Sequence, residues 1–457
     1  MKYDAFGWVA AVAVLAGTGA SQAAERACAG PDFGRRAEAV IAPYAEVQVF
    51  SGAVLVARDG KVALRRGVGL ANREWNIPNA PDTRFRLGSV TKQFTAAAIL
   101  QLAEQGKLAI DDPISKYYPD APAAWSKVTL KHLLTHTSGI PSYTAIPHFF
   151  DSQARLARTP EEIIKLTRDK PLEFEPGSKF AYDNTGYIVL GYVIEKASGQ
   201  RYADYLKAHI FGPLGMTGSG YDVTEEILPR RADRYTMGPR GWAHASYLDM
   251  SLPYAAGSLY STVDDLYTWE QALFDGKVVS PASLTLMTTD WGNHYGFGLN
   301  IGPFLGHDRI AHDGGIPGFS TSLQRYPKDG VTSIALANFD GALPSRLAAD
   351  LAILCLGEPA YPPQVKLSPA VLDRYAGVYE LKPALSFKVV REGDHLLATG
   401  EGQVPTRLYP KSERDFFAKI RDGVASFELD AAGRAVAMTL NAPAPTPPAR
   451  LDRVAGS

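Results

Sequence analysis

The sequence predicts a mixed α/β protein, in which an antiparallel sheet flanked by helices and carrying a helical subdomain precedes a small C-terminal antiparallel β domain. Three observations support this fold class. A strand–turn–strand pattern opens the first domain, helical and turn-rich patterns follow, and strand patterns then return. Because strand patterns lie at both ends of the first domain, we expect its sheet to be built from both ends.

The opening pattern predicts a β-hairpin made of residues 52–57, the turn Asp59–Gly60 and residues 61–64. A helix is expected next. The stretch from Ser89 to Gln105 lacks Gly and Pro, is rich in Ala and Leu, and stops at Gly106. This pattern is typical of a buried helix with a glycine C-cap, and it places Ser89 at the helix N-terminus.

The middle of the first domain, roughly residues 107–270, mixes short helical patterns with turn-rich stretches, which indicates a helical layer with functional loops. Strands are then predicted at Phe297–Ile301, Arg309–His312, Thr321–Tyr326 and Val331–Ala337, with Asp329–Gly330 as a hairpin turn.

Two adjacent prolines and a change of composition predict a linker at residues 358–367, which separates a domain at 30–357 from one at 368–457. Short strand patterns divided by glycine-containing turns follow the linker. Polar and apolar side chains alternate in residues 424–429, which predicts a strand with one solvent-exposed face and one buried face. The C-terminal domain is therefore expected to be a barrel or a curved sheet.

Composition excludes several classes of protein. The chain has 457 residues, 47 basic against 48 acidic side chains and 46% hydrophobic residues, so a large core is available and no basic footprint for nucleic acid or an anionic membrane exists. Residues 1–23 carry an apolar run and end in Ser-Gln-Ala, which predicts a cleaved signal peptide and export to the periplasm or medium. An uncleaved anchor is the alternative, and no stable membrane insertion is expected after cleavage.

The two cysteines leave alternatives open. Cys28 and Cys355 lie far apart without a CxxC spacing, so a metal site is not indicated. They are able to pair in an oxidising compartment, whereas the apolar surroundings of Cys355 also suit an ordinary core residue.

One pattern carries nucleophile chemistry. In Ser89-Val-Thr-Lys92 the lysine lies three positions after the serine, so both side chains share a helix face and the amine is able to take the hydroxyl proton. Burial of the ammonium would lower the pKa of Lys92 towards that of a useful base. No other serine in the chain has a lysine at this spacing.

A second pattern, Tyr182-Asp-Asn184, is the only Tyr-x-Asn in the chain. A phenol beside the lysine is able to shuttle protons, and we expect the neighbouring ammonium to lower the pKa of Tyr182. The Asn184 amide is suited to hold a substrate carbonyl and the lysine. Alone, the motif also fits a turn tyrosine followed by a helix-capping asparagine.

With these motifs the chain resembles the serine β-lactamase and penicillin-binding-protein superfamily, in particular its class C-like branch of esterases, D-aminopeptidases and D-alanyl carboxypeptidases. The resemblance covers roughly residues 35–345. It rests on the two patterns above and on the segments Leu133–Ile140, Ala256–Asp265 and His312–Phe319. It implies an acyl-enzyme at Ser89, with Lys92 and Tyr182 as proton carriers and no cofactor or metal.

The third family motif, usually Lys-Thr-Gly, departs here. Its candidates are His294-Tyr-Gly296, His312-Asp-Gly314 and Lys328-Asp-Gly330, of which we choose His312 because it ends a predicted strand and glycines follow. His312, Gly314 and Gly315 are then expected to bind substrate, and the resemblance implies that the Gly315 and Ser89 amides form the oxyanion hole. A histidine largely neutral at pH 7 favours esters, amides or peptides without an anchoring carboxylate.

Other interpretations stay open. One is a β-lactamase or D-alanyl-D-alanine carboxypeptidase with the same machinery, and another is a non-catalytic penicillin-binding-like sensor. A zinc site at His132 and His136 is disfavoured, because no third ligand and no adjacent Glu accompany them. The C-terminal domain resembles lipocalin-like domains through residues 372–379, and it would either gate the active site or stabilise the fold. The sequence does not predict an oligomeric state.

Overall fold

The computed structural model describes residues 28, 30, 32–238, 240–381, 385–400, 405–441 and 447–454, so the predicted signal peptide lies outside the described residues. The helices of the first domain are α1 Asp32–Glu46, α2 Thr91–Glu104, α3 Leu130–Leu134, α4 Phe149–Ser152, α5 Pro160–Arg168, α6 Asn184–Ser198, α7 Tyr202–Leu206, α8 Tyr254–Gly257, α9 Val263–Phe274, α10 Pro281–Thr288 and α11 Pro344–Leu356. Helix α12, Pro369–Leu372, precedes the C-terminal strands.

The strands fall into one large sheet, one barrel and several small pairings. Those before the barrel are β1 Gly52–Arg58, β2 Lys61–Val68, β3 Leu70–Asn72, β4 Ile77–Pro78, β5 Phe85–Arg86, β6 Gly220–Tyr221, β7 Tyr235–Gly238, β8 Gly241–His244, β9 Leu259–Ser261, β10 Asn300–Phe304, β11 His307–Ile316, β12 Phe319–Tyr326 and β13 Val331–Ala337. Those of the barrel are β14 Gly377–Leu381, β15 Leu385–Glu392, β16 His395–Thr399, β17 Thr406–Pro410, β18 Asp415–Ala418, β19 Val424–Leu429, β20 Ala435–Asn441 and β21 Ala449–Arg453.

The main sheet has six antiparallel strands in the order β10-β11-β12-β13-β1-β2. The hairpin predicted from the N-terminal pattern is therefore confirmed, and it joins strands from the far end of the domain as expected. Asp59 and Gly60 form its turn with positive φ angles of 47° and 78°, as a tight hairpin turn requires.

Both faces of the central strands are covered, because their side chains alternate between two cores. Leu55 and Ile334 belong to a core shared with the helical subdomain, and Val54 and Ala335 belong to a second core under α1 and α11. The sheet thus lies between the two terminal helices on one side and the helical subdomain on the other.

The strand that the sequence ends at His312 continues to Ile316. Residues 310–316 of β11 stay paired with residues 319–325 of β12, so the glycines do not interrupt the ladder. Gly314 permits a close backbone approach instead, because a Cβ there would collide with the Leu87 carbonyl and with Thr321.

The C-terminal strands form a closed eight-stranded barrel, which agrees with the predicted antiparallel β domain. Its β18–β19 connection contacts the first domain. Ile420 of this connection is buried in the core under α1 and α11, Lys419 lies over the Tyr361 ring, and Asp422 pairs with Arg346.

Cys28 and Cys355 form a disulfide across a sequence separation of 327 residues. Cys355 is also a fully buried core residue, so the two alternatives left open by the sequence hold together. The bridge attaches the chain before α1 to α11. None of the helices in the described part of the chain is both long enough and apolar enough to span a membrane.

Candidate active site

Ser89 lies in a single helical turn, Gly88–Val90, that leads directly into α2, so it stands at the N-terminal end of the helix as the sequence predicted. Gly88 has a φ of +53°, and a Cβ there would come within 2.8 Å of the Gly315 nitrogen. Only glycine therefore allows the turn to pack against β11. This contact brings Ser89 and Gly315, which are far apart in the sequence, to the same place.

Lys92 is fully buried in the first turn of α2. Its Nζ donates to Ser89 Oγ at 3.1 Å, to Asn184 Oδ1 at 2.8 Å and to the Ala256 carbonyl at 2.9 Å. Burial lowers the pKa of Lys92 to about 7, in the expected direction, and the nearby Asp183 carboxylate opposes this shift only in part. A substantial fraction of the amine is thus neutral at pH 7 and able to accept a proton.

Tyr182 lies beside this pair, with its ring centroid 4.8 Å from Lys92 Nζ. The residue is 40% exposed, yet desolvation of its phenol raises the pKa of Tyr182, and a hydrogen bond with the Ser89 hydroxyl lowers it only in part. The predicted fall of this pKa is therefore wrong, because desolvation of the phenolate outweighs the hydrogen bond with Ser89, and the nearby Asp183 carboxylate adds to the rise. Tyr182 remains a protonated phenol at neutral pH.

Asn184 is the first residue of α6, and its side chain is held from two sides. Its Oδ1 accepts from Lys92, and its Nδ2 donates to Thr144 Oγ1 at 3.0 Å. The N-cap of this helix is Asp183, whose carboxylate accepts from the Gly186 amide at 3.0 Å. The capping role that the sequence allowed for Asn184 thus belongs to Asp183.

Asp183 and His136 form a buried layer under Tyr182. The Asp183 amide donates to His136 Nδ1 at 3.0 Å, and burial raises the pKa of the Asp183 carboxyl to about 7. The His136 ring lies 4.3 Å from the Tyr182 ring and 4.8 Å from the Tyr295 ring. Sequence reasoning missed the parts played by Asp183 and Tyr295, although both lie inside motifs that it considered.

The His312 side chain is 3% exposed and faces this layer. Its Nδ1–H donates to the Asp313 carbonyl at 2.6 Å, which leaves Nε2 to accept from the Tyr295 hydroxyl at 3.0 Å. Burial, reinforced by the charge of Lys92, lowers the pKa of His312 to about 3, so the ring is neutral at pH 7 as expected. His312 lies behind Tyr182, with ring centroids 6.4 Å apart.

A cavity of about 220 Å³ opens beside Ser89. Asn184 and Gly315 line it, whereas Lys92, Tyr182, His312 and Gly314 are not among its lining residues. Of the predicted substrate-binding residues, the structure thus brings Asn184 and Gly315 to the cavity. The side chain of His312 and the α-carbon of Gly314 pack against protein groups.

The two histidines considered for zinc have structural partners. His132 Nδ1 accepts from the Thr129 amide at 3.2 Å in a capping box, and His136 Nδ1 accepts from Asp183. Within the described ranges, the one cluster with metal-ligand geometry is Glu74, Asp233 and His244, on the surface. Glu74 there already pairs with His244 at 2.8 Å.

The six-stranded sheet, the helical subdomain and the Ser89–Lys92 pair define the class of the protein. Residues 37–358 match the family model described as Beta-lactamase, and the chain belongs to this family. Residues 362–452 match a model described as a domain of unknown function (DUF3471). Some of the proteins that are similar to this chain are hydrolases by name.

Three similar proteins extend this result. Penicillin-binding protein 4* of Bacillus subtilis is 30% identical in an alignment of 420 positions, which covers 84% of this chain and 91% of that protein. The octameric penicillin-binding protein homologue of Pyrococcus abyssi is 30% identical with a TM-score of 0.68, over 92% of this chain and 99% of that one. The D-stereospecific amidohydrolase of a Streptomyces species is 28% identical with a TM-score of 0.59, over 73% and 98%.

Proposed function

We propose that the protein is an exported serine hydrolase, which forms an acyl-enzyme at Ser89 on esters or small amide and peptide substrates. One observation carries the proposal. Ser89 lines a cavity of about 220 Å³, and its Oγ lies 3.1 Å from the amine of Lys92, whose pKa burial lowers to about 7. A nucleophile, a base and space for an acyl group thus coincide.

In the first step, neutral Lys92 accepts the hydroxyl proton while Ser89 Oγ attacks the substrate carbonyl carbon. The amides of Ser89 and Gly315 are the proposed donors to the resulting oxyanion, since the close packing of Gly88 on Gly315 holds the two backbones together. The Tyr182 phenol then protonates the leaving group, and the phenolate so formed takes the proton held on Lys92, which restores the phenol and the neutral amine.

In the second step, a water molecule donates a proton to Lys92 and attacks the acyl carbon. The bond between the acyl carbon and Ser89 Oγ breaks, Lys92 returns its proton to Ser89, and the acid product departs. The raised pKa of Tyr182 favours the phenol as the acid and Lys92 as the base. This division of roles is more definite than the one that the sequence allowed.

His312 and Tyr295 are proposed as positioning residues. Their hydrogen bond forms the wall behind Tyr182, where the neutral imidazole adds no positive charge. Gly314 is proposed to keep β11 close to Leu87, and hence Gly315 close to Ser89.

Three findings support the proposed substrate class and the proposed export of the protein. The described side chains that line the cavity include no charged residue, which disfavours substrates that need their carboxylate bound. Similarity to a D-stereospecific amidohydrolase favours D-configured acyl groups among the amides to be tested. The disulfide between Cys28 and Cys355 supports an oxidising compartment and therefore export.

The experiment compares the mature protein with its Ser89→Ala variant on p-nitrophenyl butyrate, on D- and L-alanine p-nitroanilide, and on nitrocefin. We expect ester or D-amide turnover that Ser89→Ala abolishes, with little nitrocefin cleavage. Equal turnover by both proteins would overturn the mechanism. Rapid nitrocefin hydrolysis would favour a β-lactamase, and stable acylation without turnover a sensor.

A further inference from the structure

The cavity beside Ser89 is lined by a few polar residues and by a larger number of apolar or aromatic ones. Ser89, Asn184 and Thr144 supply polar groups, whereas the remaining side chains are apolar or aromatic. Those remaining residues are Tyr143, Phe149, Phe150, Leu248, Pro253, Ala256, Gly257, Gly315 and Ile316. A substrate group that fills this space therefore exchanges water for apolar contacts.

An aromatic row forms one wall from the core to the surface. Tyr143 is buried, and its ring meets the buried Phe149 ring edge-to-face at 5.2 Å. Phe149 in turn meets Phe150 at 5.4 Å and an interplanar angle of 89°. Phe150 is 43% exposed, so it occupies the rim of the cavity while Phe149 lies in the wall.

This wall is held in place by the chain that follows it. The Ala154 carbonyl accepts from the Asp249 amide at 2.9 Å, and the Arg158 amide donates to Ser251 Oγ at 2.9 Å. These bonds join the segment after α4 to the one that carries Leu248, on another wall of the cavity. The segment that follows Phe150 is thus held to the segment that carries Leu248.

We propose that Phe150 is a specificity-determining residue, which sets the upper size of an uncharged, apolar acyl group bound in this cavity. The inference rests on the proposed function. A dry cavity of about 150 Å³ holds benzene, and the 220 Å³ found here leaves room for a few more atoms. The limit corresponds to a single ring or a chain of about six carbons.

The acyl group fits this cavity better than the leaving group does. The acyl group stays bonded to Ser89, which lines the cavity, until water releases it. The leaving group must reach solvent before that water enters. A leaving group held between Phe149 and Leu248 would have to pass the acyl-enzyme, so the apolar space suits the part that remains.

The test measures kcat/KM for p-nitrophenyl acetate, butyrate, hexanoate and octanoate with the full-length mature protein, its Phe150→Ala and Phe150→Trp variants, and a control. Leu156→Ala is the control, because Leu156 lies in the same segment, is 51% exposed and does not line the cavity. We expect Phe150→Ala to raise the octanoate-to-butyrate ratio about tenfold and Phe150→Trp to lower it about tenfold, each equivalent to about 1.4 kcal/mol. Leu156→Ala should keep the wild-type ratio.

Charge is tested with p-nitrophenyl hydrogen succinate, whose acyl chain has the length of butyrate but ends in a carboxylate. We expect kcat/KM at least tenfold below that for butyrate. A ratio that stays within twofold in both Phe150 variants, or a preference that follows leaving-group size instead, would overturn the inference. Ester turnover insensitive to Ser89→Ala would instead overturn the proposed function, so the two failures are distinct.

Discussion

The hydroxyl of Tyr295 donates to Nε2 of His312 across 3.0 Å, in the interior behind Tyr182. This bond directs His312 towards a protein partner and away from the cavity beside Ser89. The imidazole therefore acts on the site through the position of its neighbours. A substitution that removes the Tyr295 hydroxyl measures directly how much this hydrogen bond contributes to stability.

We expect Tyr295→Phe to lower the free energy of unfolding by about 1–3 kcal/mol, because it leaves the buried Nε2 of His312 without a donor. Urea unfolding at pH 7 measures this change. Tyr247→Phe is the control, since its ring is 37% exposed and its hydroxyl reaches Asp249 only at 3.5 Å. Equal effects of the two substitutions would contradict a structural role for the Tyr295–His312 bond.

The pH dependence of kcat/KM should follow the titration of Lys92. Burial lowers its pKa to about 7, and only the neutral amine accepts the Ser89 proton, so kcat/KM should rise with pH through about 7 and then level. Rates with p-nitrophenyl butyrate from pH 5 to 9 test this expectation. A flat profile across that range would contradict the assignment of Lys92 as the base.

Gly314 and Gly315 are adjacent in β11, so alanine substitutions at the two positions can be compared directly. Gly314→Ala should destabilise the protein by about 1–3 kcal/mol through overpacking, because its Cβ would meet Leu87 and Thr321. Gly315→Ala should leave the melting temperature within about 2 °C, since no atom lies within 4 Å of its added Cβ. Scanning calorimetry compares the two variants. The reverse order of stability would contradict the described packing of β11.

Reduction of the Cys28–Cys355 disulfide should lower the free energy of unfolding by about 2–5 kcal/mol. The bridge closes a loop of 327 residues and lies in the core under α1 and α11, whereas Lys92 and its neighbours pack in the other core. Ester turnover at 25 °C should therefore persist in reductant while the melting temperature falls. A Cys28→Ala/Cys355→Ala variant, already lowered in stability, should show no further response to reductant.

The barrel should stabilise the first domain without selecting substrates. Ile420→Ala should cost about 2–5 kcal/mol, because this barrel residue is buried in a core of the first domain. The residues that line the cavity all precede the barrel, so the preference for acyl chain length should stay as in the wild type. A changed preference in this variant would support the gating role instead.

Much of the fold followed from local pattern. The β1–β2 hairpin, the helix after Ser89, strand β13 and the C-terminal antiparallel domain all have signals within a few residues, such as Asp59–Gly60 or the glycine that ends α2. The local pattern did not predict that β11 extends through Gly314 and Gly315. Glycine has a low strand propensity, which favours a strand end at this point, but pairing with β12 outweighs that propensity in the folded domain.

For the site, the sequence by itself determined the spacing of Ser89 and Lys92, since two residues three positions apart lie on one face of a helix and their side chains meet without help from the rest of the chain. Only the tertiary structure decided the full burial of Lys92, the direction of the Tyr182 pKa shift, the partner of His312 and the pairing of Cys28. Each depends on desolvation or on contact between segments remote in sequence, and burial of this kind exists only when the whole domain has folded.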